Sequence, residues 1–464
     1  MTKKSALTKE EFRNKELDIL REAVDKVEKA QALENTSAPH VKKIIAVVEA
    51  FLKKKHLICY GGTAINNILP ESDQFYDKQL DIPDYDFFSP NAMEDAVELA
   101  DIYGAKNYDS VQAKAGQHFG TFKVFVMGIP VADITQIDPE LFDRLKKDAI
   151  MVDNIYYSPV NLLRMNMYLE LSRPAGMVGR WEKVLKRLIL LNKNYPLRGA
   201  KCDPDTFQRS FESAEKYDVK DVYRHIKKAL ISEGVVFFGG YANSLYMKYM
   251  PNYAKKNQHM LPDFDVLSEN PLDTAKNVVK CLESQKIKDA SYVKREGLGE
   301  LLAQHYEIKV GEDTVAFIYK PLACHSYNVV EQKGENIKVA TIDTMLNLYL
   351  SFLFADRDYY DEERILCMAE YLYRVQSKNR LSQKGVLRRF STQCYGKQET
   401  LQDMREEKAE VFERLKNDRK NKEYQQHFLK YEPTKDKKPA KKSTKSKSKK
   451  SSTKTTTRKN KSKK

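Results

Sequence analysis

Two carboxylates, Asp84 and Asp86, stand in the run Asp-Tyr-Asp-Phe-Phe. The alternation is that of a strand, with both carboxylates on one face and Tyr85 and Phe87 on the other. Two like charges this close repel unless a cation lies between them. Mg²⁺ prefers such oxygen ligands and usually binds substrate phosphates as well. Upstream, Leu57–Tyr60 reads as a buried strand that turns at Gly61, Gly62 and Thr63 into a helix. Paired glycines there leave backbone N–H groups open to phosphate oxygens at a helix N-terminus. A third carboxylate, Asp133, lies in the strand-like run Val131–Ile137 between Ala132 and Ile134. An unpaired carboxylate would be costly there, and a neighbouring cation would account for it. The set Asp84, Asp86 and Asp133 therefore points to metal-assisted chemistry on a nucleoside triphosphate.

No single part is specific. A Gly-Gly turn after a strand is usually structural, and an Asp-x-Asp pair is usually solvated. Their order along the chain, with the later Asp133, carries the signal. The triphosphate also calls for a cation opposite the carboxylates. The run from Arg180 to Leu188 offers Lys183, Lys186 and Arg187 at i, i+3 and i+4 of one helix. Lys183 and Lys186 are preferred, against the plainer reading of a solvated basic face. Arg164, in an otherwise apolar helix, is a further candidate or a structural ion-pair partner. Trp181 reads as core rather than as a base-stacking residue.

The elements that must position these groups occur twice. Amphipathic helices are expected over Lys9–Glu34 and Val41–Lys54, then a helix over Pro90–Tyr103 with Ser89 as its N-cap. Strands follow over Gly116–Met127 and Val131–Ile137, joined by a Gly128–Pro130 turn, and helices over Val160–Leu171 and Val178–Leu191. The pattern then restarts with a helix over Lys220–Ile231, a strand over Val235–Phe238, the pair Gly239 and Gly240, and the pair Asp263 and Asp265. Val315–Ile318 echoes Val131–Ile134, and Gln304-His305-Tyr306 echoes Gln117-His118-Phe119. The two histidines are expected to pack rather than react. Matches in one order at similar spacing indicate an internal duplication. In the second copy Phe317 stands where the first has Asp133, so its site is expected to be dead, with Asp263 and Asp265 as surface or capping carboxylates.

Of the net charge of +15 on 464 residues, +14 lies between Pro433 and Lys464, leaving +1 on the rest. This Lys-rich tail has no large apolar residue and is expected to be disordered, a tether for nucleic acid phosphates rather than a mere solubility or nuclear-import segment. There is no apolar run of transmembrane length and no signal-peptide core. Six scattered cysteines without metal-type spacing fit a reducing compartment.

The motifs with Gly61-Gly62-Thr63, Asp84-Tyr85-Asp86 and Asp133 resemble the DNA polymerase β-like nucleotidyltransferases. More narrowly, they and the helices after Ser158 resemble the poly(A) polymerase catalytic subunits of nucleocytoplasmic large DNA viruses. The resemblance implies template-independent addition of AMP from ATP to RNA 3′ ends. It places Asp84 and Asp86 on both of two Mg²⁺ ions (Mn²⁺ being the alternative) and Asp133 on the ion that activates the primer hydroxyl. Gly61, Gly62, Thr63, Lys183 and Lys186 would bind the nucleotide. It also implies a location in the host cytoplasm, a viral factory or the virion. The competing functions are an oligoadenylate or cyclic-dinucleotide synthase and a non-enzymatic RNA-binding scaffold. The expected fold is α+β: an N-terminal helix (1–37), a catalytic nucleotidyltransferase module (38–200), a second, degenerate module (201–355), a helical segment (356–432) and the tail (433–464). Each module should be a mixed sheet with flanking helices, and the duplication suggests a homodimer surface.

Overall fold

The structure is a computed structural model that describes residues 13, 15–24, 26–27, 39–77, 82–199, 202, 216–250, 252 and 264–434. Asp263 and nearly all of the basic tail lie outside the described residues. In chain order the first half contains α1 (Pro39–Lys55), β1 (Ile58–Tyr60), α2 (Gly61–Ile68), β2 (Tyr85–Ser89), α3 (Ala92–Ala105), β3 (Gln112–Ala115), β4 (Thr121–Val126), β5 (Ile129–Gln136), α4 (Pro139–Lys147), β6 (Ile150–Val152), β7 (Ile155–Tyr157), α5 (Val160–Leu171) and α6 (Trp181–Asn194). The second contains α7 (Val219–Ser232), β8 (Val236–Phe237), α8 (Gly240–Leu245), β9 (Phe264–Leu267), α9 (Pro271–Ser284), β10 (Ala290–Arg295), β11 (His305–Val310), β12 (Asp313–Tyr319), β13 (His325–Gln332), β14 (Glu335–Ala340) and α10 (Ile342–Phe352). The C-terminal part adds α11 (Glu362–Lys378), β15 (Cys394–Tyr395), α12 (Leu401–Leu415), α13 (Lys422–Phe428) and β16 (Lys430–Tyr431).

The strands form two mixed sheets. Their orders are β16-β3-β4-β5-β2-β1-β7-β6 and β10-β11-β12-β9-β8-β14-β13-β15. Leaving out the two late strands β16 and β15, the orders superimpose element by element. The fold is therefore two tandem nucleotidyltransferase-like modules of one topology. The register confirms the sequence match of Asp133 with Phe317: Asp86 faces Asp133 across β2 and β5, and Asp265 faces Phe317 across β9 and β12. The match of His118 with His305 is corrected. Phe122 and Lys123 pair with Ile134 and Asp133, while Tyr306 and Glu307 pair with Ile318 and Phe317. The counterpart of His305, which pairs with Tyr319, is thus Thr121, which pairs with Thr135, three residues on from His118, because the loops entering β4 and β11 differ.

One face of each sheet carries helices. In β2 and β4 burial alternates, with Phe87, Phe122 and Val124 against the helices and Asp86 and Lys123 on the open face. Phe51 of α1 meets Phe87 at 6.5 Å between ring centroids, and the hydroxyl of Tyr103 of α3 donates to the Ile44 carbonyl at 2.7 Å. Ser89 does serve α3, accepting from the Asn91 N–H at 2.9 Å and donating to Asp95 at 2.5 Å, although the cap position itself is Asn91. The turn between β4 and β5 places Met127 and Gly128 at φ of 53° and 81°, the left-handed pair of a two-residue hairpin. The modules meet where α5 packs on its counterpart α10. Asn347 donates to the Met165 carbonyl at 3.3 Å, and the Ser326 N–H to the Ser172 carbonyl at 2.8 Å. A helix buried on several sides, as α5 is, must be apolar nearly all round, which is how its sequence reads.

Residues 15–24 are helical, but Ile19, Leu20, Val24 and Val27 of the expected apolar face are exposed. The scattered cysteines, read from the sequence as fitting a reducing compartment, include four that are paired. Cys202 pairs with Cys367 and Cys324 with Cys394, Cα atoms 5.5 and 5.1 Å apart, because the fold brings together residues 165 and 70 positions distant. No described helix is long and apolar enough to cross a membrane.

Behind α10 the carboxylate of Asp343, wholly buried, receives three hydrogen bonds from Arg389 at 2.8–3.0 Å. Removing one partner of such a pair leaves an uncompensated buried charge. Arg389→Ala should lower unfolding stability by about 3–5 kcal/mol, and adding Asp343→Asn should recover part of it. Equal denaturant midpoints for Arg389→Ala and parent would contradict this.

Candidate active site

The site is a row across four strands of the open face. Tyr60 of β1 lies opposite Asp86 of β2, Asp86 opposite Asp133 of β5, and Asp133 opposite Lys123 of β4. Directly opposed residues share a face, so these side chains project together. Asp84 joins them from just before β2. The Thr63 hydroxyl fixes the backbone there by donating to the Asp84 carbonyl at 2.6 Å. That bond engages the Thr63 hydroxyl, and the Thr63 backbone N–H lies in the first turn of α2.

Gly61 is required on two counts. Its φ is +74°, and a Cβ there would come within 2.5 Å of an Asp86 carboxylate oxygen. The start of α2 therefore lies directly against Asp86. No side chain caps α2, which leaves its first N–H groups for an external acceptor.

The electrostatics are unfavourable by construction. Burial raises the Asp86 carboxyl to about 7, reinforced by the charges of Asp84 and Asp133 and opposed by Lys123 and Arg180. Asp84 is raised as well, by desolvation and then by Asp133. One oxygen of Asp133 is ion-paired with the Lys123 ammonium. The other, Oδ1, is buried with no hydrogen-bond partner. Among the described residues no group of three or more histidine, cysteine or acidic side chains is placed to hold a metal ion as it stands. Yet an orphaned carboxylate oxygen beside two carboxylates of raised pKa is a hard-oxygen donor set, and it fits a divalent cation.

Of the three basic residues of α6, Arg187 is the one that lies against the glycine turn. Lys186 is 71% exposed and pairs with Glu182 at 2.6 Å, and Lys183 is exposed too. Arg187 is buried with Val184, Leu188 and Leu191 on the inner face of α6. Its guanidinium donates to the Tyr76 hydroxyl at 2.6 Å and lies 4.7 Å from the Phe75 ring centre. A Cβ on Gly62 would meet it at 2.9 Å. Arg164 is structural. It is fully buried and donates to Asn192 at 2.8 Å, to Asn161 and to the Tyr195 carbonyl, tying α5 to α6. Trp181 donates to the Glu170 carbonyl at 2.9 Å and packs near Phe390, as core. His118 is exposed rather than packed, whereas His305 is buried between the Ala303 carbonyl and the Tyr359 hydroxyl.

In the second module the same row is closed. Phe317 is buried and stacks on Tyr359 at 5.2 Å, and Glu307 replaces Lys123 and pairs with Arg295 at 2.5 Å. A Cβ on Gly239 would again strike the facing carboxylate, Asp265. Asp265 is half-buried rather than a surface carboxylate, and it borders a small aromatic recess with Tyr359 and Tyr360.

The sequence model of the poly(A) polymerase catalytic subunit family matches residues 46–177, which contain all three carboxylates. The resemblance to the viral catalytic subunits holds. A mimivirus protein named as a candidate poly(A) polymerase catalytic subunit is 32% identical over 184 residues, 39% of this chain and 30% of that protein. An African swine fever virus protein of the same description is 31% identical over 167 residues, 35% of each chain. The match thus spans about a third of these relatives. A crystal structure titled as the Megavirus polyadenylate synthase superimposes with a TM-score of 0.72 at 19% identity, over 89% of this chain and 85% of that one. That likeness establishes the shared fold, which extends well beyond the region of sequence match.

The raised Asp86 has a consequence for stability. A carboxylate with a higher pKa in the folded than in the unfolded state stabilises fully below the unfolded value, and that contribution is lost as pH rises through the folded value. With divalent ions chelated, the thermal midpoint should fall between about pH 4 and pH 8, and Asp86→Asn should flatten this decline. A parent midpoint that does not fall across that window would refute the assignment.

Proposed function

We propose that the chain is a template-independent poly(A) polymerase that transfers AMP from ATP to RNA 3′ ends. The observation that carries this reading is the unpartnered Oδ1 of Asp133, held one strand from Asp86 within the family-matched region. Asp84, Asp86 and Asp133 would hold two divalent ions, Mg²⁺ being the natural choice for carboxylates and phosphates. Bound there, the ions would lower the pKa of the primer hydroxyl and offset charge on the leaving pyrophosphate.

The remaining work falls to the chain. The N–H groups of Gly61, Gly62 and Thr63 face the place where the triphosphate would lie. Arg187, behind Gly62, supplies a fixed positive charge there. Asp133 lies where the 3′-hydroxyl would be oriented. The 3′ oxygen forms the new bond to the α-phosphorus, the bond to the β-phosphate bridge breaks, and the hydroxyl proton passes toward Asp133 or water. The closed second module would act as a scaffold. We place the catalytic domain at 38–200 and the second at 201–355, with one short strand added to each sheet by the C-terminal part, and assign residues 433–464 as an RNA tether.

Primer extension with each of the four nucleoside triphosphates tests the proposal. ATP should be used best, and extension should require both an RNA primer and a divalent ion. Asp133→Ala should stay folded yet lose about a thousandfold in rate, the equivalent of ~4 kcal/mol. Near-normal extension by that variant, or products formed from ATP without RNA, would reject the reading.

The choice of cation is tested separately. Arg187→Ala should raise KM for ATP about tenfold or more, as for a lost charge-assisted contact. Lys186→Ala should leave it unchanged. The reverse pattern would return the role to the lysines.

A further inference from the structure

Beyond Asp133 the row continues to the sheet edge and changes sign. Asp133 faces Lys123, Lys123 faces Lys114 of β3, and Lys114 faces Lys430 of β16. All three lysines lie on the open face. Their opposite-face neighbours Phe122, Val124 and Ala113 are buried, and Tyr431, next to Lys430, turns inward to donate to Asp101 at 2.5 Å. With strands about 4.8 Å apart, the three steps from Asp133 to Lys430 span roughly 14 Å.

Lysines on an exposed strand face are ordinarily just solvated. Three features set these apart. They occupy one register line that starts at the third carboxylate. Lys114 and Lys430 are exposed, and among the described residues neither meets a carboxylate; Lys114 lies over the Phe125 ring at 4.1 Å. The second module is an internal control of the same topology. Its row reads Phe317, Glu307, Val293, and among the described residues no strand corresponding to β16 extends it. The basic line is therefore not a by-product of the fold, since it is present only where the carboxylates are. Its outermost lysine is delivered by a strand more than 300 residues later in the chain, and the Lys-rich tail begins five residues beyond it, at Lys435.

We propose that Lys114 and Lys430, with Lys123 at the inner end, bind the phosphates of the last nucleotides of a single-stranded RNA primer and run its 3′ end toward Asp133. This rests on the polymerase reading and assigns the primer path at that same site. Phosphodiesters are the chemistry that a line of ammonium groups takes, the outer two of them without a carboxylate among the described residues, and the direction follows from the carboxylates at one end only. β16 thus ties the Lys-rich sequence that follows it to the end of the catalytic row, and that sequence would gather RNA while the row aligns it.

The test is the full-length double variant Lys114→Gln/Lys430→Gln, with Lys276→Gln/Lys280→Gln on α9 as a control of equal charge change. RNA affinity is read by fluorescence anisotropy across a salt series, and primer and ATP kinetics in parallel. The slope of log affinity against log salt should shrink by about 1.4, two single-strand phosphate contacts. KM for the primer should rise about tenfold or more, while KM for ATP and kcat at saturating primer stay near parental. The control should keep the parental primer KM. An active enzyme whose primer KM and salt slope match the control would overturn the lysine path and leave the polymerase reading intact. A parent that extends no RNA, but whose RNA affinity and salt slope fall only in the Lys114/Lys430 variant, would keep the path and overturn the polymerase reading.

Discussion

The first module depends on a repulsion it does not relieve by itself. Asp84, Asp86 and Asp133 share the open face of one sheet, and Asp86 is held near neutrality by burial and by the other two. Such strain is tolerable only on a scaffold whose other face is well packed. Phe87, Ala132, Ile134 and Phe122 provide it, all essentially inaccessible and alternating residue by residue with the charged positions. The flanking parts follow from the same constraint. Gly61 must be glycine because any side chain would displace Asp86, Thr63 spends its hydroxyl to fix the backbone of Asp84, and Lys123 is drawn onto Asp133.

The second module shows what the scaffold becomes once the repulsion is removed. Phe317 replaces Asp133 and joins His305, Tyr319 and Tyr359 in an aromatic cluster. Burying an aromatic ring there favours folding, whereas burying a carboxylate with one oxygen left without a partner opposes it. Gly239 nevertheless stays glycine, since Asp265 still points at it. The glycine–carboxylate contact is thus a steric property of the strand-turn-helix, retained without the third ligand, and it cannot by itself indicate chemistry. The third strand makes that distinction.

This explains what could be read from the sequence. Asp84, Asp86 and Asp133 were legible because strand alternation fixes their face and a carboxylate among apolar neighbours demands a reason. Phe317 was legible because the run around it repeats. That Arg187 turns inward while Lys183 and Lys186 face out was not read because i, i+3 and i+4 spacing cannot say which edge of the basic face is buried; the apolar positions Val184, Leu188 and Leu191 contain that phase. Lys123 was missed because a lysine in an alternating strand reads as solvated until its cross-strand partner is known. The His118–His305 echo misled because a local match ignores loop length. The hairpin of β6 and β7 was signalled by Asp153 and Asn154, both at positive φ between apolar runs. The disulfides and β16 depend on pairings across 70 to more than 300 residues, which no local pattern encodes.

The sign change along the row is the feature that joins these parts. Had the carboxylates been the only charges on the open face, they would repel both polyanions that the proposed reaction must bring together. Fixed cations on either flank address each in turn: Arg187 behind the glycine turn for the triphosphate, and the lysines beyond Asp133 for the RNA. Lys123 stands at the junction, the one lysine already engaged by a carboxylate. Its ion pair keeps Asp133 compensated by a mobile side chain, in place of a fixed guanidinium such as the Arg295 that serves Glu307 in the second module. A flexible ammonium can leave a carboxylate oxygen to a stronger cation and turn toward a phosphate at little cost. A bidentate arginine would hold the oxygen against it. On this argument the choice of lysine over arginine at residue 123 is part of the site's chemistry.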